Sequence, residues 1–101
     1  MVAVVVQYEL KPERLEEHLD LIDAVFGELA SAGIEGAHYG AMRSEEGHSF
    51  THIANHESDE AGQAFSSMAS FQAFTANIAD RCIVPPHVVM QKVVGSHDIL
   101  G

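Results

Sequence analysis

Segments with the hydrophobic period of a strand and of a helix alternate along this chain in an order that constrains the fold more than any other feature. Residues 2–8 (VAVVVQY) are dense in β-branched side chains, which is typical of a strand. From Pro12 onward, apolar residues recur every three or four positions as far as Leu29, and Gly33 follows. This spacing predicts a helix over residues 12–32, because apolar residues three and four apart share one helix face.

The second half of the chain repeats the alternation. Residues 35–44 and 49–57 predict a hairpin around the loop Glu45-Glu46-Gly47-His48. Ser58 or Asp59 is a helix cap, and the apolar series after it predicts a second helix that ends before Pro85-Pro86, with a kink or restart near Ser70. The valine-rich residues 88–94 predict the last strand. The helix's apolar series comprises Ala61, Ala64, Phe65, Met68, Phe71, Phe74 and Ile78.

The element order predicts an α+β fold of the ferredoxin-like βαββαβ type, a single domain over residues 1–101. Two crossover helices and a central hairpin give an antiparallel four-stranded sheet with both helices on one face. The strands carry apolar residues in both alternating sets, as Val4 and Val5 illustrate, so both sheet faces are expected to be buried. A second copy of the same sheet is the simplest cover for the free face, which predicts a homodimer.

Charge and cysteine content exclude several classes of function. The formal net charge is −10, from 15 acidic and 5 basic residues, so nucleic acid and membrane surfaces are not expected partners. Cys82 is the single cysteine and is expected to be buried. The apolar opening is too short to span a bilayer and has no leader-peptide pattern, which predicts a cytoplasmic protein. No glycine-rich phosphate loop occurs, so no bound cofactor is expected.

The third predicted strand carries a family resemblance. It has an aromatic residue, Phe50, followed by alternating residues and then His56-Glu57-Ser58. With the element order and the final PPHVVMQKVVGS, it resembles the dimeric α/β-barrel superfamily, in the branch of the antibiotic-biosynthesis monooxygenases. That branch often has Trp-Glu-Ser at this strand end, and some cofactor-free oxygenases in it carry an active-site Asn four residues before the Trp. These positions correspond to His52 and His56, and the chain has no tryptophan.

The histidines at 48, 52 and 56 recur every four residues. On a strand, His52 and His56 share a face but lie roughly 13 Å apart at a rise of about 3.3 Å per residue, so one metal ion cannot join them. Their neighbours depend on the hairpin register. An even loop pairs Ala41 with His52 and brings Tyr39 and Arg43 to the same face, whereas an odd loop brings His38 and Met42 there. The even register gives the more coherent polar cleft.

The resemblance and these residues together suggest cofactor-independent oxygenation of an electron-rich aromatic of the quinol or anthrone kind. His52 or His56 is suited to take the substrate's proton, since an imidazole has an ordinary pKa near 6.5. Tyr39 or Arg43 is suited to hold the resulting oxyanion. Two further residues, Gln7 and Phe50, are the remaining candidates for binding the small-molecule substrate.

Other functions stay open from sequence alone. The same histidine chemistry serves an isomerase or dehydratase that needs no oxygen. A binding module for haem, with His52, His56 or His87 as axial ligand, or for another small hydrophobic ligand is a second class. In a third, His52 and His56 only pack at a dimer interface. His18 is expected at the surface, and Arg81 is expected to have a structural role near a helix end.

Overall fold

The computed structural model describes residues 2–45 and 47–99, and the predicted loop residue Glu46 lies outside them. In this part of the chain the element order is that of the predicted βαββαβ fold, with the second helix in pieces. The elements are strand β1 (Val2–Leu10), a 3₁₀ turn (Pro12–Arg14), helix α1 (Leu15–Ala32), strands β2 (Tyr39–Arg43) and β3 (Ser49–Ala54), helices α2 (Asp59–Ser66) and α3 (Ala69–Thr75), a second 3₁₀ turn (Ile78–Arg81) and strand β4 (Cys82–Lys92).

The four strands form one antiparallel sheet in the order β2-β3-β1-β4, which is the ferredoxin-like arrangement predicted from the sequence. Ala41 pairs with His52, so the even register of the hairpin is confirmed. β2 is shorter than predicted, because residues 35–38 lead into it as a turn and irregular chain around Gly36, at φ 82°. β3 likewise ends at Ala54 and not at residue 57.

The first helix confirms the predicted boundaries, except that its opening turn is 3₁₀. Pro12 stands at the start of that turn, where its missing N–H costs nothing. Gly33 ends the helix in the left-handed conformation, at φ 58° and ψ 43°, and its N–H donates to the Leu29 carbonyl at 3.1 Å. A residue with a Cβ would be strained at this position.

The second helix is interrupted earlier than predicted. Ser58 caps it, with Oγ accepting the Ala61 N–H at 3.1 Å. The chain becomes extended at Met68 (φ −61°, ψ 135°), so the break precedes the predicted restart at Ser70. Asn77, in the left-handed conformation at φ 58°, then separates α3 from the second 3₁₀ turn. Two short helices therefore replace one long one.

The last strand begins at Cys82 and ends at Lys92, so it starts earlier than predicted and excludes Val93 and Val94. It includes both prolines, because β4 is an edge strand where a missing N–H is tolerated. Its pairing with β1 shifts between Gln7 and Leu10, which is the mark of bulges.

All helices pack on one face of the sheet. One buried cluster lies on this face and consists of Tyr8, Leu10, Phe50 and Cys82. A second cluster lies between helices, with Val25, Phe65, Met68 and Phe74 buried. The other face carries Val5 with its paired neighbours Ile53 and Val89, and is open. Within residues 2–45 and 47–99, no helix is long and apolar enough to cross a membrane.

Candidate functional site

A cavity of about 960 Å³ opens between the helix-covered face of the sheet and helices α2 and α3. This volume lies at the upper end of the range that small-molecule sites occupy. Its floor is apolar, and its helix wall holds three phenylalanines among small and polar residues, which suits a flat aromatic ligand. The floor consists of Val2, Val4, Val6, Ala54, Pro86 and Val88, and Phe65, Phe71 and Phe74 stand in the wall.

The polar part of the cavity begins with a continuous chain of five side chains. Arg81 Nε lies 3.1 Å from His18 Nδ1, and His18 Nε2 lies 2.5 Å from the Tyr8 hydroxyl. The Tyr8 hydroxyl is also 2.8 Å from His52 Nε2. His52 Nδ1 in turn lies 2.5 Å from the hydroxyl of Tyr39. The chain thus runs from a buried guanidinium to a phenol at the cavity wall.

Burial shifts the pKa values of the side chains in this hydrogen-bond chain. His18 is completely buried and His52 is 3% exposed. Burial lowers the pKa of each imidazole to about 4, and the nearby Arg81 charge further lowers that of His18. Burial raises the pKa of the Tyr8 and Tyr39 phenols above their ordinary value of 10. At neutral pH the four rings are therefore uncharged.

Aromatic packing fixes the rings of this chain in place. The Phe74 ring is stacked on His52, with centroids 5.4 Å apart and planes at 27°. Phe50 is stacked on Tyr8 at 5.3 Å and 6°. The Arg81 guanidinium carbon also lies 5.8 Å from the Phe74 centroid, within reach of a cation–π contact. The hydroxyl and imidazole groups are therefore held by packing as well as by hydrogen bonds.

His56 stands apart from the chain, at the cavity wall beyond β3. Its Nδ1 accepts the backbone N–H of His38 at 3.1 Å, so its neutral ring carries the proton on Nε2. Its ring packs on Phe65 at 5.0 Å, and Tyr39 packs on the same Phe65 at 4.7 Å. Partial burial and the neighbouring His38 lower the His56 pKa. The two polar rings thus flank one aromatic side chain of the cavity.

Three of the six predicted site residues line this cavity, namely Tyr39, His52 and His56. The other three do not, and each needs a correction. Gln7 lies on the open face of the sheet, where its amide approaches Thr51 Oγ1 at 3.5 Å, because odd-numbered residues of β1 point away from the helices. Arg43 is exposed at the hairpin, where its Nε donates to the Gly47 carbonyl at 3.2 Å. Phe50 is buried beneath Tyr8 instead of facing the cavity.

Sequence reasoning missed Tyr8, His18 and Arg81. The expectation that His18 is a surface residue is wrong, since it lies on the apolar stripe of α1, at helical spacing from Ile22 and Val25. That spacing was a visible signal. The structural role expected for Arg81 is confirmed, because its guanidinium donates to two carbonyls at the end of α3, but its contact with His18 was not anticipated.

The fold and the cavity together define a class: ferredoxin-like α+β proteins with an open sheet and a pocket beneath their helices. Residues 1–77 match the family described as antibiotic biosynthesis monooxygenase. This chain therefore belongs to the antibiotic biosynthesis monooxygenase family, as the resemblance at the third strand predicted. Among curated proteins, none matches the chain.

Solved structures share this fold at low sequence identity. Rv0793 from Mycobacterium tuberculosis has a TM-score of 0.75 at 17% identity, covering 94% of this chain and 96% of its own. A structure described as an antibiotic biosynthesis monooxygenase has a TM-score of 0.75 at 18% sequence identity, covering 94% of this chain and 100% of its own. A conserved protein from Methanosarcina mazei Go1 gives 0.72 at 16%, covering 90% of each chain. At these identities the likeness establishes the fold.

Proposed function

We propose that this protein is a cofactor-independent monooxygenase that acts on an electron-rich aromatic small molecule of the quinol or anthrone kind. The observation that carries the proposal is the cavity itself. It is apolar and aromatic, large enough for a fused-ring ligand, and its buried polar groups are phenols and imidazoles. Membership of the monooxygenase family supports the same reaction class.

In this reaction the ionised substrate supplies the electrons. An anthrone-like CH₂ loses a proton to give a carbanion whose charge is shared with the ring oxygen. The carbanion transfers an electron to O₂, and the resulting radical pair combines to form a C–O bond. The O–O bond of that peroxide then breaks as the carbon loses its second proton, which leaves a new carbonyl and releases one oxygen atom as water. The substrate supplies every electron, so no external reductant is consumed.

The proposed roles of the residues follow from their hydrogen bonds. Tyr39 is the group that stabilises the substrate oxyanion, since its phenol stays protonated and faces the cavity. His52 acts through Tyr39, and His56 offers its Nε2–H from the opposite side of Phe65. These contacts support a role for both imidazoles in stabilising negative charge on oxygen. The general-base role expected from the sequence stays a prediction.

The test is oxygen uptake by the purified protein, with a chelator present, on a panel of quinols and anthrones. We expect uptake without any added cofactor. It should fall at least tenfold in His52→Gln and His56→Gln and remain in His97→Gln, because His97 is an exposed residue near the carboxyl end. Absence of uptake on every substrate, or its loss when metal is chelated, would overturn the proposal. Turnover without oxygen consumption would favour the isomerase instead.

We also propose that residues 1–101 form one domain that pairs as a homodimer through the open sheet face. Val5, Ile53 and Val89 lie side by side there, and Met42 on the same face is 39% exposed. An apolar sheet face normally packs against another layer. Sedimentation should give twice the mass of the 10.9 kDa chain, and Ile53→Glu should give a monomer. A monomeric parent protein would refute this part. A cytoplasmic location stays a prediction.

A further inference from the structure

The direction of every hydrogen bond in the buried chain is set by Arg81. A guanidinium has only donors, so its N–H groups fix what each partner must accept. Nη1 donates to the Ala76 carbonyl at 3.2 Å and Nη2 to the Phe74 carbonyl at 2.5 Å. These two bonds hold the guanidinium so that Nε donates to His18 Nδ1 at 3.1 Å. His18 Nδ1 is therefore unprotonated.

From that point each proton has one place. Neutral His18 carries its proton on Nε2 and donates it to the Tyr8 oxygen. The Tyr8 hydroxyl then has its own proton free for His52 Nε2, which accepts it. Neutral His52 must carry its proton on Nδ1, and donates it to the Tyr39 oxygen. The Tyr39 hydroxyl accepts within the chain, and its proton remains to be placed.

That last proton faces the cavity. Tyr39 lines the cavity wall, and in residues 2–45 and 47–99 its hydroxyl has no hydrogen-bond partner besides His52. We propose that Arg81 is a positioning residue that, through His18, Tyr8 and His52, commits the Tyr39 O–H to donate into the cavity, so that the site selects ligands with an acceptor oxygen, above all an ionised phenol or enol. The identity of this ligand as substrate rests on the proposed function, whereas the hydrogen-bond direction rests on the geometry alone.

The opposite direction does not satisfy the same atoms. If Tyr39 donated to His52 Nδ1, the neutral His52 proton would sit on Nε2 and point at the Tyr8 oxygen. Tyr8, which also borders the cavity but is only 4% exposed, would then receive a proton from both imidazoles, and its own O–H would be left without an acceptor. A buried hydroxyl without an acceptor is unfavourable. The arrangement that begins at Arg81 satisfies every donor when a ligand oxygen accepts from Tyr39.

The charges near the cavity act on an anionic ligand in opposite directions, since Arg81 favours it and the two acidic residues that line the cavity do not. The guanidinium of Arg81 polarises the whole chain toward donation, because bonds in series reinforce one another. The acidic residues of the cavity, Glu57 and Asp59, are exposed at its rim. Glu57 is also paired with His38 Nε2 at 2.8 Å. Solvent screens these rim charges more than it screens groups in the buried wall.

The first test reads the tautomers directly in the unliganded protein. Nitrogen-15 NMR of the histidine rings distinguishes a protonated Nδ1 from a protonated Nε2. We expect Nε2–H for His18 and Nδ1–H for His52 at neutral pH. In Arg81→Met, or in Tyr8→Phe if that variant does not fold, the His52 ring should become a mixture of both tautomers. An Nε2–H tautomer of His52 in the parent protein would overturn the proposal.

The second test uses 4-nitrophenol, whose neutral and ionised forms have different absorption spectra. We expect the bound phenol to ionise at a pH at least one unit lower than the free phenol, a tenfold preference for the anion. Tyr39→Phe should abolish the shift, while Thr75→Val, which removes another hydroxyl from the cavity wall, should keep it. Equal binding of both forms, or no binding, would count against the inference. Because this probe is not turned over, anion binding without oxygen uptake on the quinol panel would reject only the proposed function.

Discussion

Two neutral histidines in the core make the stability of this protein sensitive to mild acid. His18 and His52 have pKa values of about 4 in the folded chain, against 6.5 for the unconstrained side chain. Between those two values the unfolded chain binds protons that the folded chain does not. The free energy of unfolding therefore rises with pH in this window and falls as the pH drops through it.

The size of the effect follows from those values. At pH 5 each histidine lowers the free energy of unfolding by about 2 kcal/mol, and at pH 7 by only about 0.2 kcal/mol. Moving from pH 7 to pH 5 should therefore lower the free energy of unfolding by about 4 kcal/mol through His18 and His52 together. The total free energy of unfolding of a native protein domain is about 5–15 kcal/mol. The loss is thus a large share of the whole stability.

Urea unfolding followed by circular dichroism at pH 7, 6 and 5 measures this directly. The pH dependence should be halved in His52→Gln, which removes one of the two groups, to a loss of about 2 kcal/mol. His97→Gln removes a histidine at the exposed carboxyl-terminal end and serves as the matched control. A free energy of unfolding that is constant from pH 7 to pH 5 would refute the claim that both imidazoles are neutral in the folded core.

The net charge of −10 works in the opposite direction, because protonating carboxylates relieves repulsion in the folded chain. This contribution is screened by salt, whereas desolvation of buried imidazoles is not. The series should therefore be repeated at high ionic strength. Because salt screens only the opposing contribution, the loss of free energy of unfolding from pH 7 to pH 5 should persist or grow at high ionic strength, and a loss that disappears with salt would contradict its assignment to His18 and His52.

Three other changes test the packing and capping described above, each by urea unfolding at pH 7. Tyr8→Phe should cost about 1–3 kcal/mol, because it leaves ring nitrogens of His18 and His52 without partners in the core. Leu10→Ala should cost about 2–5 kcal/mol, since Leu10 is fully buried, whereas Ile83→Ala at a 58% exposed position should change the free energy of unfolding by less than about 0.5 kcal/mol. Ser58→Ala should cost about 1 kcal/mol through loss of the cap on α2. Equal effects of the Leu10 and Ile83 changes, or none at Tyr8 or Ser58, would contradict the corresponding contacts.

The fold was predictable because its signals are local. The period of α1, the β-branched composition of β1 and the hairpin between β2 and β3 are each readable within about twenty residues. The break at Met68 was not, because the apolar spacing of the second helix continues across it. The start of β4 was also missed. Pro85 and Pro86 argue against a central strand, and only the sheet order shows that β4 lies at an edge.

The candidate site was predictable only where residues share a strand or a hairpin. His52 and Tyr39 face the same cavity because the register pairs β2 with β3, and that register was one of two considered. Gln7 was assigned to the cavity because it interrupts an apolar strand. A strand with apolar residues on both sides gives no clue to which side an interrupting polar residue takes. Here it takes the open face.

The buried hydrogen-bond chain could not be predicted from the sequence, because its five side chains lie in five different elements. Each of them finds its hydrogen-bond partner only in the folded structure. Arg81 alone suggests a residue that binds the end of a helix, and the position of His18 on the apolar stripe of α1 indicates burial but not its partners. Each imidazole is costly to bury without a partner, and each becomes satisfied only when the next member is present. Tyr39 is the last member of this hydrogen-bond chain. Its O–H donor has no partner in the core among the described residues, and Tyr39 lines the cavity. Packing alone does not require such a hydrogen-bond chain. Hydrophobic side chains in place of Tyr39 and His52 would fill the same space without any polar group to satisfy.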